Sequence, residues 1–234
     1  MISKSAIFCV IPARGGSKRI PRKNIRDFLG VPIIGRVITT ALGCGIFERV
    51  IVTTEDREIA DVAKSFGAEV PFLRPLDLAD DITPTIPVIQ QSILANNLDC
   101  NSNNIVCCLY PTAVLATRKD LISSLDIFQK SDGNKILMAL TRYQHPIQRA
   151  FSINTFGEFS PVNESAIISR TQDLETNWHD AGQFYFGTTK TWMEGDGFPR
   201  PFLGFEFPPS RVQDVDSLED WQRAEQIYTI NFGA

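Results

Sequence analysis

The chain has 234 residues, of which 43% are hydrophobic and 21% charged, and its formal net charge is −4. This composition is that of a globular protein with enough apolar side chain for a sizeable core. The acidic balance argues against a general nucleic-acid binder, and no apolar run is long enough to span a bilayer, so we expect neither nucleic acid nor membrane as a partner.

Strand and helix patterns alternate through the first 141 residues. Short apolar or β-branched runs predict strands at residues 6–11, 49–53, 69–72, 105–110 and 135–141. Apolar residues at helical spacing predict helices at residues 32–44, 56–66, 87–96 and 121–129. Such alternation predicts βαβ units, and therefore an α/β fold with a mostly parallel sheet and helices on both faces.

The rest of the chain departs from this alternation. Residues 151–161 predict a hairpin, which either forms a lid or dimer contacts or is a surface hairpin without a role. A strand at residues 183–188 and a helix at residues 217–229 follow, with Ser217 as the helix N-cap. The sequence shows no repeat or linker, so we expect a single domain over residues 1–234.

The segment after the first strand, residues 11–24, reads IPARGGSKRIPRKN. It leaves a buried strand, so it lies at the carboxyl edge of the sheet, where open α/β folds bind ligands. Gly15 and Gly16 let backbone amides approach an anion, and Arg14 and Lys23 add positive charge on either side. The segment matches neither the Walker loop nor the dinucleotide fingerprint. It predicts a phosphate site, with a solvated basic loop as the alternative.

This segment resembles the signature of the CMP-sugar synthetases, the cytidylyltransferases for sialic acid and its relatives. Five more segments resemble that family in the same order along the chain: FLRP at 72–75, DITPT at 81–85, LYPT at 109–112, DAGQFY at 180–185 and VQDVDS at 212–217. The resemblance spans nearly the whole chain. It implies a Rossmann-like three-layer nucleotidyltransferase fold with a hairpin excursion, and a nucleotidyltransferase that uses CTP.

The resemblance also implies residue roles on the nucleotide side. The nucleotide-binding residues carried over are Ala13, Arg14, Gly15, Ser17, Lys18, Lys23, Asn24, Arg74 and Thr85. Arg14 and Lys23 would contact the triphosphate and serve in catalysis. Arg74 and Thr85 would read cytosine, which offers two acceptors and an amino donor. The alternatives are a surface charge for Arg74 and a helix N-cap for Thr85.

Asp214 and Asp216 match the pair of aspartates that hold Mg²⁺ in that family, and they complete the implied catalytic set. Two carboxylates at positions i and i+2 of an extended segment point the same way. Their hard oxygens suit Mg²⁺, which keeps most of its waters and bridges phosphate oxygens. The alternative is a capping role for the helix that follows.

On the sugar side, the implied binding residues are Tyr110, Arg170, Gln183, Phe184 and Tyr185. The guanidinium of Arg170 would pair with the substrate carboxylate. Aromatic residues in an alternating strand are more often core, so we expect at least one residue of the group at 183–185 to be structural.

Residues 142–149, 170–174 and 179–187 resemble the pseudaminic acid branch most closely. The implied product is CMP-pseudaminic acid, made from CTP and an acidic nine-carbon sugar with release of pyrophosphate. Legionaminic, sialic or 3-deoxy-manno-octulosonic acid are the alternative sugars. A glycosyltransferase that consumes a nucleotide-sugar is the alternative of another class.

Two expectations concern assembly and location. The family resemblance implies a homodimer, with residues 142–182 as an insertion for sugar binding and dimerisation. Five cysteines, an odd count without any CxxC, predict reduced thiols in a reducing compartment. The N-terminus places its charge after the apolar run, the reverse of a signal peptide, which predicts a cytoplasmic protein.

Overall fold

The computed structural model of the chain describes residues 5–80, 82–100, 102–194 and 201–233. Asp81, which opens one of the family-like segments, lies outside these ranges. The strands are β1 Ile7–Pro12, β2 Asp27–Phe28, β3 Val31–Pro32, β4 Arg49–Thr53, β5 Ile105–Leu109, β6 Leu137–Arg142, β7 Phe151–Ile153, β8 Phe159–Pro161, β9 Trp178–Thr188 and β10 Leu203–Glu206. The helices are α1 Ile33–Gly43, α2 Arg57–Ser65, α3 Thr85–Ala95, α4 Arg118–Gln129, α5 Glu164–Ile168, α6 Thr189–Met193 and α7 Leu218–Phe232.

A six-stranded sheet forms the centre of the described structure, in the order β10-β6-β9-β5-β1-β4. β1 pairs in parallel with β4 and β5, and β10 pairs in parallel with β6. β9 lies antiparallel between β5 and β6. The prediction of a mostly parallel sheet is confirmed, and the parallel strands deliver their carboxyl ends to one edge.

Both faces of the sheet are covered. Along β1, Cys9 and Ile11 face one core while Phe8 and Val10 face the other, because successive side chains of a strand point to opposite faces. The first core includes residues of α1, α2, α4 and α7, and the second includes residues of α3 and α6. A continuously apolar strand such as β1 is the pattern that this two-sided burial requires.

Two elements differ from the sequence prediction. The prediction of a strand at residues 69–72 is wrong. The chain there forms one isolated bridge, between Ile51 and Glu69, instead of a strand. Pro71 has no amide hydrogen with which to continue the ladder. The edge strand β10 lies among glycine and proline residues and carries no clear strand pattern of its own. It becomes a strand by pairing with β6.

The predicted hairpin is confirmed by the antiparallel pair β7 and β8. The predicted N-cap of the last helix is also confirmed, since the Ser217 hydroxyl accepts from the Asp220 amide at 3.2 Å and the Asp220 carboxylate accepts from the Ser217 amide at 2.9 Å. This capping box fixes the point where the segment of Asp214 and Asp216 ends. In the described ranges, none of the helices has the length and apolar character needed to cross a bilayer.

Candidate active site

Two clefts open side by side at the carboxyl edge of the sheet. The first, here called the basic cleft, has a volume of about 290 Å³, and its lining includes Arg14, Ser17, Lys23, Asn24, Arg74 and Thr85. The second, here called the tyrosine cleft, has a volume of about 540 Å³, and its lining includes Arg142, Tyr143, His179, Asp180 and Tyr185. Tyr110, Thr112 and Asp214 line both clefts.

Strand direction explains why these residues meet. The segment at residues 13–24, here called the basic loop, follows β1. Tyr110 follows β5 and Asp214 follows β10, so the parallel strands bring these positions to one edge. β9 runs the opposite way, so its first residues, His179 and Asp180, lie at that same edge. The antiparallel strand therefore contributes to the tyrosine cleft from its beginning rather than its end.

The basic loop is held by a hydrogen bond within the loop and by contacts to the segment that carries Asp214 and Asp216, here called the aspartate segment. Asn24 is 4% exposed, and its amide nitrogen donates to the Arg14 carbonyl at 2.9 Å. Lys23 Nζ donates to the Val215 carbonyl at 2.8 Å and lies 3.7 Å from Asp216 Oδ1. Burial lowers the pKa of Lys23, against the opposing effect of the two aspartates. The structure thus brings Lys23 and Asp214 to the same cleft.

The sequence predicts that Gly15 lets a backbone amide approach an anion, but in the structure this amide binds a protein side chain. The Gly15 amide donates to Glu55 Oε1 at 2.6 Å, so in this structure the amide is already satisfied by protein. A Cβ at Gly15 would lie 2.5 Å from Asp56 Oδ2, whereas a Cβ at Gly16 would have no neighbour within 4 Å. Glycine is needed at position 15 because the turn after β4 packs against it.

The other loop residues divide into cleft wall and support. Arg14 lines the basic cleft and donates to the Asp80 carbonyl at 2.9 Å, and Ser17 lines it too. Ala13 is buried in the core and its amide continues the ladder to β4 at 3.0 Å. Lys18 is exposed and lies outside the described lining of the basic cleft. Arg14, Ser17, Lys23 and Asn24 are therefore the predicted loop residues that reach the cleft.

Arg74 is buried, with 3% of its side chain exposed, so the alternative of a surface charge is wrong. Its Nη2 donates to Glu55 Oε2 at 2.9 Å. Its Nε has no hydrogen-bond partner within the described residues. Burial lowers the pKa of Arg74 and the charge of Glu55 works against that shift. A buried donor without a partner, on a residue that lines a cleft, indicates an acceptor that arrives with a ligand.

A chain of hydroxyl groups joins the two clefts. Thr85 Oγ1 and Tyr110 Oη are 2.6 Å apart, the rings of Tyr110 and Tyr185 pack edge to face with centroids 5.6 Å apart, and the Tyr185 hydroxyl donates to Asp180 Oδ2. Burial raises the pKa of Tyr110 to about 12 and also raises the pKa of Tyr185. Both phenols are therefore protonated at neutral pH and able to donate.

Thr85 takes part in this chain as the first residue of α3, whereas the N-cap position is occupied by Pro84. The alternative of an N-cap role for Thr85 is therefore wrong. Its hydroxyl is free of backbone capping and faces Tyr110 instead.

Three of the residues predicted to bind a sugar lie outside the described lining of both clefts. Phe184 is buried in the core against Phe207, because its strand position faces away from Tyr185. Gln183 is 1% exposed, and its amide nitrogen donates to the Ala181 carbonyl at 3.0 Å. Arg170 has 75% of its side chain exposed.

Arg170 pairs with Asp173 at 2.9 Å and lies outside the described lining of both clefts. Of the predicted sugar residues, Tyr110 and Tyr185 line the tyrosine cleft.

The carboxylates of Asp214 and Asp216 flank the buried Val215. Asp214 borders both clefts, and Asp216 pairs with Arg19 at 2.9 Å. Burial raises the pKa of Asp214, and the nearby charge of Asp216 adds to the shift. Ser217 and Asp220 cap the following helix, so the capping alternative for the pair is wrong.

Within the described residues, no group of three or more metal-ligating side chains of His, Cys, Asp or Glu is present. Asp214 and Asp216, whose charges act on each other and on Lys23, nevertheless fit Mg²⁺, which takes its remaining ligands from water and phosphate.

The sequence analysis missed several residues of this edge. Glu55, Asp180, Thr112 and Tyr143 either line a cleft or bond directly to residues that do. The available signal was position, since each lies just after a parallel strand or at the start of β9.

Comparison with known proteins identifies the family. Residues 8–194 match the family described as Cytidylyltransferase. A pseudaminic acid cytidylyltransferase of Campylobacter jejuni is 42% identical over 224 residues, which cover 95% of this chain and 96% of that protein. A CMP-N,N'-diacetyllegionaminic acid synthase of Legionella pneumophila is 30% identical, over 96% of this chain and 97% of its own.

The fold is shared with solved structures. A CMP:2-keto-3-deoxy-manno-octonic acid synthetase complexed with CTP has a TM-score of 0.72 and 16% identity, covering 97% of this chain and 100% of that one. The expected Rossmann-like three-layer nucleotidyltransferase fold is thereby confirmed. With a family match over most of its length and relatives that align nearly end to end, the chain belongs to the cytidylyltransferase family of nucleotidyltransferase enzymes.

Proposed function

We propose that this enzyme forms CMP-pseudaminic acid from CTP and pseudaminic acid and releases pyrophosphate. The observation that carries the proposal is the pair of clefts that share Tyr110, Thr112 and Asp214. Two substrates must meet at one phosphorus atom, and adjoining clefts with a common wall allow that. The sugar assignment draws on the relative named for pseudaminic acid, which is 42% identical, against 30% for the one named for legionaminic acid.

The basic cleft would hold CTP. Arg14 and Lys23 offset the charge of the triphosphate, while Ser17 and Asn24 offer hydrogen bonds beside them. Arg74 and Thr85 line the same cleft, and we assign the base to them. The unpartnered Nε of Arg74 supplies a donor for an acceptor on cytosine.

Asp214 and Asp216 would hold Mg²⁺. When bound, the ion neutralises phosphate charge and polarises the phosphoryl oxygens. The protein's own contribution is to keep Asp214 at the wall common to both clefts and Asp216 two residues further on, where both charges act on Lys23. Lys23 keeps that segment in place by donating to the Val215 carbonyl at 2.8 Å.

The reaction is a direct displacement. The anomeric hydroxyl oxygen of the sugar forms a bond to the α-phosphorus, the bond from that phosphorus to the bridging oxygen breaks, and pyrophosphate leaves with the electron pair. The hydroxyl proton passes to solvent or to a basic group at the site. No covalent enzyme intermediate is required, so catalysis rests on positioning and on charge balance by Arg14, Lys23 and the aspartates.

The tyrosine cleft would hold the sugar. Tyr143, His179 and Tyr185 supply aromatic surface with polar edges, which suits the acylated amino groups and the methyl terminus of pseudaminic acid. Because Arg170 lies outside the cleft, we assign the sugar carboxylate to Arg142. Arg142 lines the cleft and pairs with Glu206 at 2.7 Å, which leaves further guanidinium donors for a carboxylate.

We further propose one domain over residues 1–234 that acts as a homodimer in the cytoplasm. Residues 142–182 form the insertion, and five of its exposed apolar side chains are here called the hairpin patch: Phe151, Ile153, Phe156, Phe159 and Ile168. A cluster of exposed apolar side chains on a small excursion favours a protein partner, and a second copy of this chain is the occupant we assign. The five cysteines are all free, which suits a reducing compartment.

The deciding experiment measures pyrophosphate release from CTP with Mg²⁺ and each of four sugars: pseudaminic, legionaminic, sialic and 3-deoxy-manno-octulosonic acid. We expect the highest kcat/KM with pseudaminic acid. A higher value with another sugar would overturn the sugar assignment. Release of CMP from a CMP-sugar in the presence of an acceptor sugar, without pyrophosphate release from CTP, would indicate a glycosyltransferase instead. The Asp216→Asn variant, purified in the same way, excludes a contaminating activity.

A further inference from the structure

Glu55 connects two parts of the basic cleft without belonging to its described lining. Its Oε1 accepts from the Gly15 amide at 2.6 Å, and its Oε2 accepts from Arg74 Nη2 at 2.9 Å. The preceding residue, Thr54, accepts from the Arg74 amide at 2.8 Å. The turn after β4 therefore holds both the basic loop and Arg74.

The contacts of Glu55 are sheltered from solvent. Its side chain is 12% exposed, and that of Arg74 is 3% exposed. In such surroundings a charged hydrogen bond has little competition from water, and its geometry is held closely. Removal of the carboxylate would leave a buried guanidinium without its counter-charge and a backbone amide without its acceptor.

In the proposed function, the two groups held by Glu55 serve different parts of one ligand. The loop that carries Gly15 supplies Arg14 and Ser17 to the basic cleft, on the side assigned to the phosphates. Arg74 lines the same cleft on the side assigned to the base. A single rigid carboxyl group thus sets the spacing between the phosphate side and the base side.

We propose that Glu55 is a positioning residue that holds the basic loop and Arg74 at the spacing of one bound CTP. Through this spacing it sets the selectivity for the cytosine base. The inference rests on the proposed function, because it assumes that the basic cleft binds CTP. Glu55 itself acts through Gly15 and Arg74 and does not contact the nucleotide.

The test compares Glu55→Gln with the matched control Glu58→Gln. Glutamine keeps the shape and can still accept from the Gly15 amide, but it turns an amide donor or an uncharged oxygen toward Arg74. We expect KM for CTP to rise about tenfold and the preference for CTP over UTP to fall by a similar factor. At saturating CTP, kcat should change by less than about threefold. Glu58 is exposed in the first turn of α2 and pairs with Arg22, so Glu58→Gln should leave all three values unchanged.

A double variant separates the positioning of Arg74 from a general contribution of Glu55 to the stability of the fold. In an Arg74→Ala background, Glu55→Gln should cause no further loss of base selectivity, because both changes act on the same guanidinium. Should Glu55→Gln not yield folded protein, Glu55→Asp takes its place. The shorter carboxylate keeps the charge but cannot span both partners, and we expect the same direction of change.

The outcomes distinguish a failure of the proposed function from a failure of the positioning role. Wild-type protein that neither binds nor turns over CTP would overturn the proposed function. Active wild-type protein together with unaltered base selectivity in Glu55→Gln would overturn the positioning role alone. A lower melting temperature with unchanged KM and selectivity would also overturn it, since that result means general support for the fold.

Discussion

Arg211 donates two hydrogen bonds to Asp120, from Nη1 at 2.7 Å and from Nη2 at 2.9 Å. Asp120 also closes the capping box of α4 by accepting from the Thr117 amide at 2.8 Å. Arg211 lies three residues before Asp214, so this ion pair fastens the aspartate segment to the start of α4. The site at the sheet edge therefore depends on a contact outside both clefts for its stability.

Replacement of Arg211 by Met should lower the free energy of unfolding by about 3 kcal/mol, because it leaves the Asp120 carboxylate sheltered without its partner. The two side chains are 16% and 9% exposed. Urea denaturation monitored by circular dichroism measures the change. Arg223→Met is the control, since its pair with Glu219 is exposed, and the loss there should be below about 1 kcal/mol. Equal losses of stability in both variants would contradict a stabilising role for the sheltered Arg211–Asp120 pair.

The same pair predicts acid sensitivity. Burial alone would raise the pKa of Asp120, but hydrogen bonds from Arg211 and Thr117 outweigh it and lower the pKa below its ordinary value. The stabilisation is therefore complete above the unfolded-state pKa of about 4 and is lost as the pH falls through the lower folded-state value. We expect the stability difference between wild type and Asp120→Asn to be constant from neutral pH down to about pH 5 and to narrow below about pH 4. A difference independent of pH throughout that range would refute the assignment.

Gly15 and Gly16 provide a matched pair for the basic loop. A methyl group at position 15 would meet Asp56 Oδ2 at 2.5 Å, whereas one at position 16 meets nothing within 4 Å. Gly15→Ala should lower the free energy of unfolding by about 1–3 kcal/mol through overpacking. Gly16→Ala should change it by less than about 0.5 kcal/mol. Thermal unfolding of both variants tests this order, and a larger loss for Gly16→Ala would contradict it.

Asp214→Asn and Asp216→Asn should each reduce kcat by at least about a hundredfold while the protein remains folded, because each removes a carboxylate assigned to Mg²⁺. Removal of metal with EDTA should abolish wild-type activity, and added Mg²⁺ should restore it. Pyrophosphate release and circular dichroism are the two measurements. Glu219→Gln, with its side chain 81% exposed, serves as the control and should keep full activity. Full activity of Asp216→Asn at ordinary Mg²⁺ would reject the metal role.

Tyr185→Phe tests the chain of hydroxyl groups. It removes the donor to Asp180, so the Asp180 carboxylate in the tyrosine cleft loses its fixed orientation. We expect KM for the sugar to rise about tenfold while KM for CTP changes by less than about threefold. Tyr228→Phe is the matched control, because that hydroxyl accepts from Arg36 at 3.0 Å outside both clefts. A rise in KM for CTP alone would contradict a role in the sugar cleft.

The hairpin patch predicts the assembly state. Phe156 is 87% exposed and Phe159 is 69% exposed, so their joint replacement by Ser removes apolar surface without a cost to the core. We expect wild type to sediment as a dimer and the double variant to dissociate with a Kd at least about a hundredfold higher. Ile230→Ser, which changes an equally exposed residue of α7, should leave the dimer intact. A monomeric wild type would refute the proposed homodimer.

The local pattern of the chain determined most of the elements. The apolar run of β1, the β-branched run of β4 and the helical spacing of α1 and α2 each specify an element, because burial on one or two faces requires that periodicity. The position of the basic loop at the binding edge follows as well, since it leaves a buried parallel strand.

Tertiary structure decided the features that depend on a partner distant in the chain. β10 is a strand because β6 supplies its hydrogen bonds, and Phe184 lies in the core while Tyr185 lines a cleft because the register of β9 sets which face each occupies. The Gly15 amide turns to Glu55, forty residues away, which no local pattern shows. Local sequence specifies backbone periodicity, whereas the partner of a polar group is chosen by the packing of the whole chain.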